Sequence, residues 1–284
     1  MKLVVKNEGE LLEYLYENLD MPKKRIKQYL THGSIYVNNN RTSQYNYRLL
    51  PGMKIHIDTE GKNKKTLPFE IVFEDDHIIV VNKPSGLLTI ATAKEKERTL
   101  YHIVREYLVS KDRNARVFIV HRLDKDTSGI VVLAKDEKTK NQLQENWNEF
   151  VSLREYVAVV HGHLRKKEDR IVQMLSETKT NLVYVSKKED AKEAITNYKV
   201  TKENEDYSMV SIHIETGRKN QIRVAFQTIG NPIVGDKKYG DRRDDATRLY
   251  LHANRLKMYY PVFKKDLLFE VANPNEFKKI MGGK

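Results

Sequence analysis

The sequence predicts an α+β fold, a mixed and mainly antiparallel sheet preceded by a small αα-β module. Three observations lead there. From about residue 68 onward, apolar runs of strand length follow one another with few helices between them. Parallel strands need long crossovers, so such a chain favours antiparallel neighbours. Residues 1–60 show a different order, two amphipathic helices ahead of short strands. A polar stretch, GKNKKT at 61–66, followed by Pro68, stands between the two patterns. The expected division is 1–60, a linker at 61–68, and 69–284, and 284 residues suffice for one small and one large domain.

Each element has its own warrant. Residues 9–20 place Leu11, Leu12, Leu15 and Leu19 on one helical face. Pro22 opens a second helix, KKRIKQYL at 23–30. Its Ile26, Tyr29 and Leu30 point one way, and Lys23, Lys24, Arg25 and Lys27 another; Gly33 stops it. A strand over 34–37 meets the turn Asn38, Asn39, Asn40, and Asn tolerates left-handed backbone. Residues 50–57 give a further turn and strand. Residues 69–73 and 77–81 read as a hairpin. Thr99–Val109 reads as a helix with Leu100, Ile103, Val104, Tyr107 and Leu108 inward. Asp136 caps a helix running to Trp147. Strands follow at 152–161, 181–186, 193–200 and 208–215. A helix from about 218 to Thr228 closes at Gly230, and strands lie near 249–259 and 267–271. There is no internal repeat.

Composition narrows the function. Fifty-one Lys and Arg against 39 Asp and Glu leave a net charge of +12, which points to a polyanionic partner, most often nucleic acid. Charge says nothing of which sequence is bound, because phosphate contacts position without reading. With no cysteine there is no disulfide, thiolate nucleophile or Cys-based zinc site. No run of about 18 apolar residues predicts a membrane helix, and the opening MKLVVKNEGE has no signal-peptide core. The expectation is a cytoplasmic protein with no membrane partner, a monomer, and neither metal nor cofactor.

The most informative stretch is HRLDKDTSGI, residues 121–130, between the apolar runs 117–120 and 130–134. Charged groups at the edge of a core need partners or a task. From the residues alone, an ion-paired loop in which Arg122 neutralises Asp124 or Asp126 stays open. The segment closely resembles the HRLD-x-x-TSG signature of RluA-type pseudouridine synthases. VNKPSGLL at 81–88, REYVAVVHG at 154–162 and ETGRKNQIR at 215–223 resemble further motifs of that family. So do GNPIVGD at 230–236 with Tyr239 and Gly240, and LHA at 251–253. All occur in the family's order and run from about residue 69 to 255. In the first module, the pieces KKRIKQYL, GSIYVN and LLPGMKIHI resemble an S4 RNA-binding domain; a generic αα-β module is the alternative.

The resemblance implies an isomerase of uridine in RNA. Such an enzyme cuts the N-glycosidic bond, turns the base and rejoins it through C5 without a cofactor. It implies Asp124 as the catalytic carboxylate, acting on the sugar or on the base. It implies Tyr156 as the active-site tyrosine. Strand alternation puts Tyr156 on one face with Ala158 and Val160, and the small Ala158 leaves room for a stacked base. It implies Arg223 as the cation beside Asp124, with Arg218 the competing candidate. Asn220 and Arg223, three apart, share a helical face. Arg122 resembles the family's plug for the gap left by a flipped uridine. His121, Arg218, Leu251, Lys23, Lys24, Arg25 and Lys27 complete the expected RNA and base contacts. Lys83 reads as structural, part of a rigid turn. A two-carboxylate site is disfavoured because Asp124 and Asp126 point apart in an extended segment. His161, His163 and His252 read as ordinary strand histidines.

The chain departs from the pattern at Thr89–Thr92, where many members have a His-Pro pair, at Asn220 in place of His, and at Arg154 in place of Lys. Large-subunit ribosomal RNA is the expected substrate and transfer RNA the alternative. A non-catalytic RNA-binding or ribosome-assembly factor on the same fold is the reading from another class. Retention of Asp124 speaks against it. A methyltransferase is set aside for want of a G-x-G-x-x-G loop.

Overall fold

The structure, a computed structural model, describes residues 1–31, 33–58, 67–93, 95–240 and 244–283. It divides into two compact units, Met1–Leu67 and Pro68–Lys284. The stretch 61–66 expected as a linker lies outside the described residues.

The first unit contains β1 (Lys2–Val4), β2 (Gly9–Glu10), α1 (Leu11–Asn18), α2 (Lys23–Thr31), β3 (Ile35–Val37), β4 (Asn40–Thr42), β5 (Arg48–Leu49) and β6 (Lys54–Ile57). Four strands form a sheet in the order β1-β6-β3-β4, and β2 pairs with β5. The helices bury the residues their spacing selects: Leu11, Leu15, Leu19, Ile26 and Leu30 meet Ile35, Val37, Ile55 and Ile57 of the sheet. Each fully buried aliphatic side chain contributes roughly 1.5–3 kcal/mol. Asn38 and Asn39 take positive φ, 49° and 67°, in the β3–β4 turn. On α2, Lys23, Lys24, Arg25 and Lys27 are all exposed.

The second unit runs β7 (Glu70–Glu74), β8 (Ile78–Lys83), α3 (Leu100–Lys111), β9 (Phe118–Ile119), β10 (Ser128–Ala134), α4 (Glu137–Glu145), α5 (Trp147–Phe150), β11 (Val151–His161) and β12 (Glu168–Glu177). It continues with β13 (Val183–Val185), β14 (Lys192–Glu203), β15 (Tyr207–Ile214), α6 (Gln221–Thr228), β16 (Leu251–Tyr260), β17 (Lys265–Glu270) and α7 (Asn275–Ile280). One sheet holds all its strands, in the order β13-β12-β14-β15-β11-β16-β10-β8-β7, with β17 on β16 and β9 on β10. Sequence reading misses β12, because only Ile171 and Leu175 of it are buried while Val172 and Met174 face outward. It also misses α7, a short helix held by one buried residue, Phe277.

Strands β8 and β10 explain their unbroken apolar runs. Ile78, Val80, Ile130 and Val132 face a core that includes Leu143 of α4. Ile79, Val81, Val131 and Leu133 face another core with Leu100, Val104 and Leu108 of α3. A sheet covered on both faces has no polar side to show. Thr99 and Asp136 cap α3 and α4 by accepting from the N–H groups of His102 and Thr139.

Among the described residues all strand pairs are antiparallel except β10 with β16, which run parallel through Ser128–His252 and Gly129–Ala253. Here Gly129 has φ +118°, and a Cβ on it would lie 2.1 Å from the Ala253 carbonyl oxygen. Only glycine lets the strands close at this point. The parallel junction fixes where β10 begins, and so where the loop 121–127 is held.

Candidate active site

The loop is clamped from below through its own carbonyl groups. Lys83 is fully buried, and its Nζ donates to the carbonyls of Pro84, Leu87 and Lys125 at 3.0, 2.8 and 3.0 Å. Gly86 N–H donates to Lys125 O at 3.0 Å, Ser85 Oγ to Asp126 O at 2.6 Å, and Thr89 Oγ1 to Leu123 O at 2.8 Å. Carbonyls on both sides of Asp124 are thereby fixed by residues 83–89. Thr89 thus has a definite task in holding the loop. Burial drives the Lys83 pKa down to about 7, against the charges of Asp126 and Asp124 that hold it up. The structural part expected for Lys83 is the part it plays.

His121 takes a scaffold position. Its Nε2 accepts from Val132 N–H at 3.0 Å, and its ring lies 4.5 Å from the Trp147 ring. Burial, aided by the Arg154 charge, pushes its pKa down to about 3, so the imidazole is neutral. An RNA contact was expected of it; in the structure the residue is half-buried and its Nε2 is held by the Val132 N–H. Arg122 next to it is exposed, and among the described residues it makes no ion pair with Asp124 or Asp126. The ion-paired-loop alternative loses its pair.

Asp124 sits at the start of α6. Burial raises its pKa, opposed by the Arg223 charge, by a hydrogen bond from Asn220 N–H, and by the charges of Lys219 and Lys238. Asn220 adopts the left-handed conformation, φ 53° and ψ 17°, which turns its N–H toward the carboxylate. That turn also starts the helix at Gln221 rather than at 218. The Asn220 side chain is equally engaged: Nδ2 donates to Tyr239 Oη at 2.9 Å, and Oδ1 accepts from Arg223 Nη1 at 3.3 Å. Asn, among non-glycine residues, pays little for this backbone and supplies both a donor and an acceptor.

Arg223 does not bond to Asp124 as expected. Its Nε and Nη2 donate to Asp236 Oδ2 and Oδ1 at 2.8 and 2.7 Å, both side chains being buried. A buried guanidinium needs a counter-charge at bonding distance, and Asp236 provides a bidentate one. Asp236 Oδ1 also accepts from the N–H groups of Lys238 and Tyr239, so its carboxylate is satisfied. Asp124 receives only the field of this pair, and its oxygens stay available.

Tyr156 stands beside Asp124 on β11. Burial pushes its pKa up to about 12; Arg154 opposes the rise and Asp124 adds to it. The phenol is neutral, and among the described residues its hydroxyl has no hydrogen-bond partner. Arg154 is held at this edge by the Glu215 carbonyl, 2.6 Å from Nη2.

The other expected residues lie elsewhere. Arg218 is exposed, its Nε donating to Glu193 O at 2.9 Å. Leu251 is 3% exposed and belongs to the core, paired in register with Ala158, in a cluster against which Tyr156 packs. Lys23, Lys24, Arg25 and Lys27 are in the first unit, where Lys23 lies over the Tyr16 ring and Arg25 over that of Tyr29. The strand histidines have separate partners: His161 with Asp244, His163 with Asn204 O, and His252 with Ser128 Oγ. Sequence reasoning assigned no role to Asp236, Lys219, Lys238 or the Asn220 side chain. Asp236 ends the quoted segment 230–236, and that place in the segment is the sequence signal that could have marked it.

A family described as RNA pseudouridylate synthase matches residues 77–228. The ribosomal large subunit pseudouridine synthase D of Salmonella typhimurium is 30% identical over 276 residues, covering 90% of this chain and 84% of that protein. An uncharacterized RNA pseudouridine synthase of Bacillus subtilis, YhcT, is 29% identical over 283 residues, 97% of this chain and 93% of its own. Among solved structures, human RNA pseudouridylate synthase domain containing 4 superposes with a TM-score of 0.61 at 23% identity, over 73% of this chain and 89% of that one. That likeness bears on the fold. Among the described residues, no helix is long and apolar enough to cross a membrane.

Proposed function

The chain belongs to the RNA pseudouridine synthase family, and on that premise we propose that it converts a specific uridine of large-subunit ribosomal RNA through Asp124. The observation that carries the assignment of Asp124 is its placement. It is a carboxylate set between the Asn220 N–H and the Tyr156 phenol, with a buried Arg223–Asp236 pair behind it.

The uridine enters flipped from its strand, because its glycosidic bond cannot be reached within a helix. The Tyr156 ring packs against the uracil, and its neutral hydroxyl is free to hydrogen-bond the base or the sugar. The Asp124 carboxylate reacts either at the sugar or at the base, or takes a ribose proton. The Asn220 N–H and the Arg223 field keep that carboxylate oriented and favour its charged form against the burial that opposes it. After the N1–C1′ bond breaks, the base turns and C5 joins C1′, expelling the C5 hydrogen. Arg122, exposed at the loop and without an ion pair among the described residues, suits the stack left by the flipped base.

The net charge of +12 and the exposed cations of α2 support RNA as the ligand of both units. A 30% identical relative named for the large ribosomal subunit supports ribosomal over transfer RNA. The test is release of tritium from ribosomal and transfer RNA labelled at uridine C5 and lacking the modification. Release from the large-subunit RNA alone is expected. Release confined to transfer RNA would overturn the substrate, and release by Asp124→Ala protein would overturn the residue.

A further inference from the structure

The tip of the β12–β13 hairpin carries an arrangement that catalysis at Asp124 does not use. Asn181 takes φ +65° in a turn closed by Thr178, whose N–H donates to Leu182 O at 2.8 Å and whose Oγ1 accepts from Leu182 N–H at 3.0 Å. Two ammonium groups converge on that one asparagine. Lys219 Nζ donates to Asn181 Oδ1 at 2.9 Å, and Lys238 Nζ donates to its main-chain carbonyl at 2.7 Å. Lys219 also contacts Glu177. Among the described residues Lys238 has no carboxylate partner. The hairpin is tied to the start of α6 by Tyr239, whose hydroxyl accepts from both Val183 N–H, at 3.0 Å, and Asn220 Nδ2, at 2.9 Å. The charges of both lysines reach Asp124.

Two like charges gathered at neutral amide oxygens, with one carboxylate between them, make a site short of an anion. We propose that Lys219 and Lys238 together seat one phosphodiester of the RNA strand next to the target uridine, with Asn181 holding the two ammonium groups in place until it arrives. The proposal rests on the reading of Asp124 as the reacting carboxylate. A nucleotide with its C1′ at Asp124 brings its flanking phosphates within a sugar's width of that carboxylate, and the charges of both lysines are felt there. Glu177 competes with the phosphate for Lys219. A purely structural pair of lysines, stapling the hairpin tip, is the rival explanation.

The experiment measures RNA affinity against salt, apart from turnover, for wild type and for the double variant Lys219→Ala, Lys238→Ala. Target RNA is used with and without neutral methylphosphonates at the linkages flanking the uridine. Losing one neutralised phosphate lowers the salt slope by roughly one, with affinity down about tenfold at moderate salt. The methylphosphonate RNA is expected to bind wild type more weakly and the double variant no worse than normal RNA does. The charge-keeping Lys219→Arg, Lys238→Arg is expected to retain the slope, and Glu177→Gln to tighten binding. An unchanged slope in the alanine variant, with equal sensitivity of both proteins to the methylphosphonate, overturns the phosphate seat and leaves the staple. Because binding is read separately, a wild type that binds but never releases tritium overturns Asp124 chemistry instead, while the slope still decides the lysines.

Discussion

Glu74 and Asp124 are both partly buried carboxylates of the second unit with lysines nearby, yet the protein drives them in opposite directions. At Glu74 burial is outweighed by hydrogen bonds from Lys111, Tyr107 and Lys135, and the pKa falls. Those donors stand at 2.9, 2.8 and 3.1 Å. At Asp124 burial prevails over the Arg223 charge and a single donor, the Asn220 N–H, and the pKa rises. The first carboxylate has spent its lone pairs on the fold. The second keeps them, at a cost, next to a hydroxyl that is also unspent. Complete partnering marks a structural charge, and sparse partnering is what the proposed role of Asp124 requires.

The largest effect that sharpens this contrast is on turnover. Asp124→Asn is expected to lower C5 tritium release about a thousandfold or more while RNA binding persists. Glu74→Gln is expected to leave the rate near that of wild type. Equal losses in the two variants would break the distinction.

Next in size is the pair behind the site. Asp236→Asn leaves Arg223 buried without its counter-charge, and breaking a buried pair from one side costs about 3–5 kcal/mol. A fall of roughly 10 °C in Tm is expected at this chain length, with reduced turnover in the surviving folded protein. A Tm within about 1 °C of wild type would show that Asp236 is not what holds Arg223. Substituting Asn220 tests the junction more gently. Asn220→Gly keeps the left-handed backbone and the N–H to Asp124 but loses both side-chain bonds. Its expected signature is a kcat about tenfold lower with KM little changed. A change confined to KM would place Asn220 in binding rather than in orienting the carboxylate.

How much of this was legible in the sequence follows from the same contrast. The α+β class and the order of most elements were readable, because β8 and β10 are continuous apolar runs and α1 through α4 carry strong periodicity or caps. Asp124, Tyr156 and Arg223 were singled out through the motifs that contain them, and the structure brings Tyr156 and the Arg223 charge each within reach of Asp124. Partner choice was not readable. Whether Arg223 bonds Asp124 or Asp236 depends on a loop closing 13 residues downstream, which no local pattern encodes. The packing of His121 against Trp147 and of Leu251 in the β11–β16 core was likewise not readable. Strand β12 was invisible because its outward face carries Val172 and Met174, which blurs the alternation that marks a half-buried strand.

The smallest effects are on stability against pH, and they test the contrast most directly because the two carboxylates differ there in sign. A depressed carboxylate such as Glu74 stabilises the fold above its unfolded pKa, and that stability is lost as pH falls through the folded pKa. Glu74→Gln is therefore expected to lower stability at pH 7, by roughly 2 kcal/mol for charged hydrogen bonds, and the deficit to shrink in acid. Asp124, with its pKa raised, contributes stability below its unfolded pKa and loses it as pH rises through the folded one. Ionising it in this buried position is a burden on the fold, so Asp124→Asn is expected to melt above wild type at pH 7. That advantage should fade as the pH approaches the ordinary carboxylate range near 4. Melting curves of the three proteins from pH 4 to 8 read both signs in one experiment. Curves for Asp124→Asn lying below wild type at neutral pH would mean that the Asp124 carboxylate holds the fold together, as Glu74 does, and is not held in reserve for a substrate.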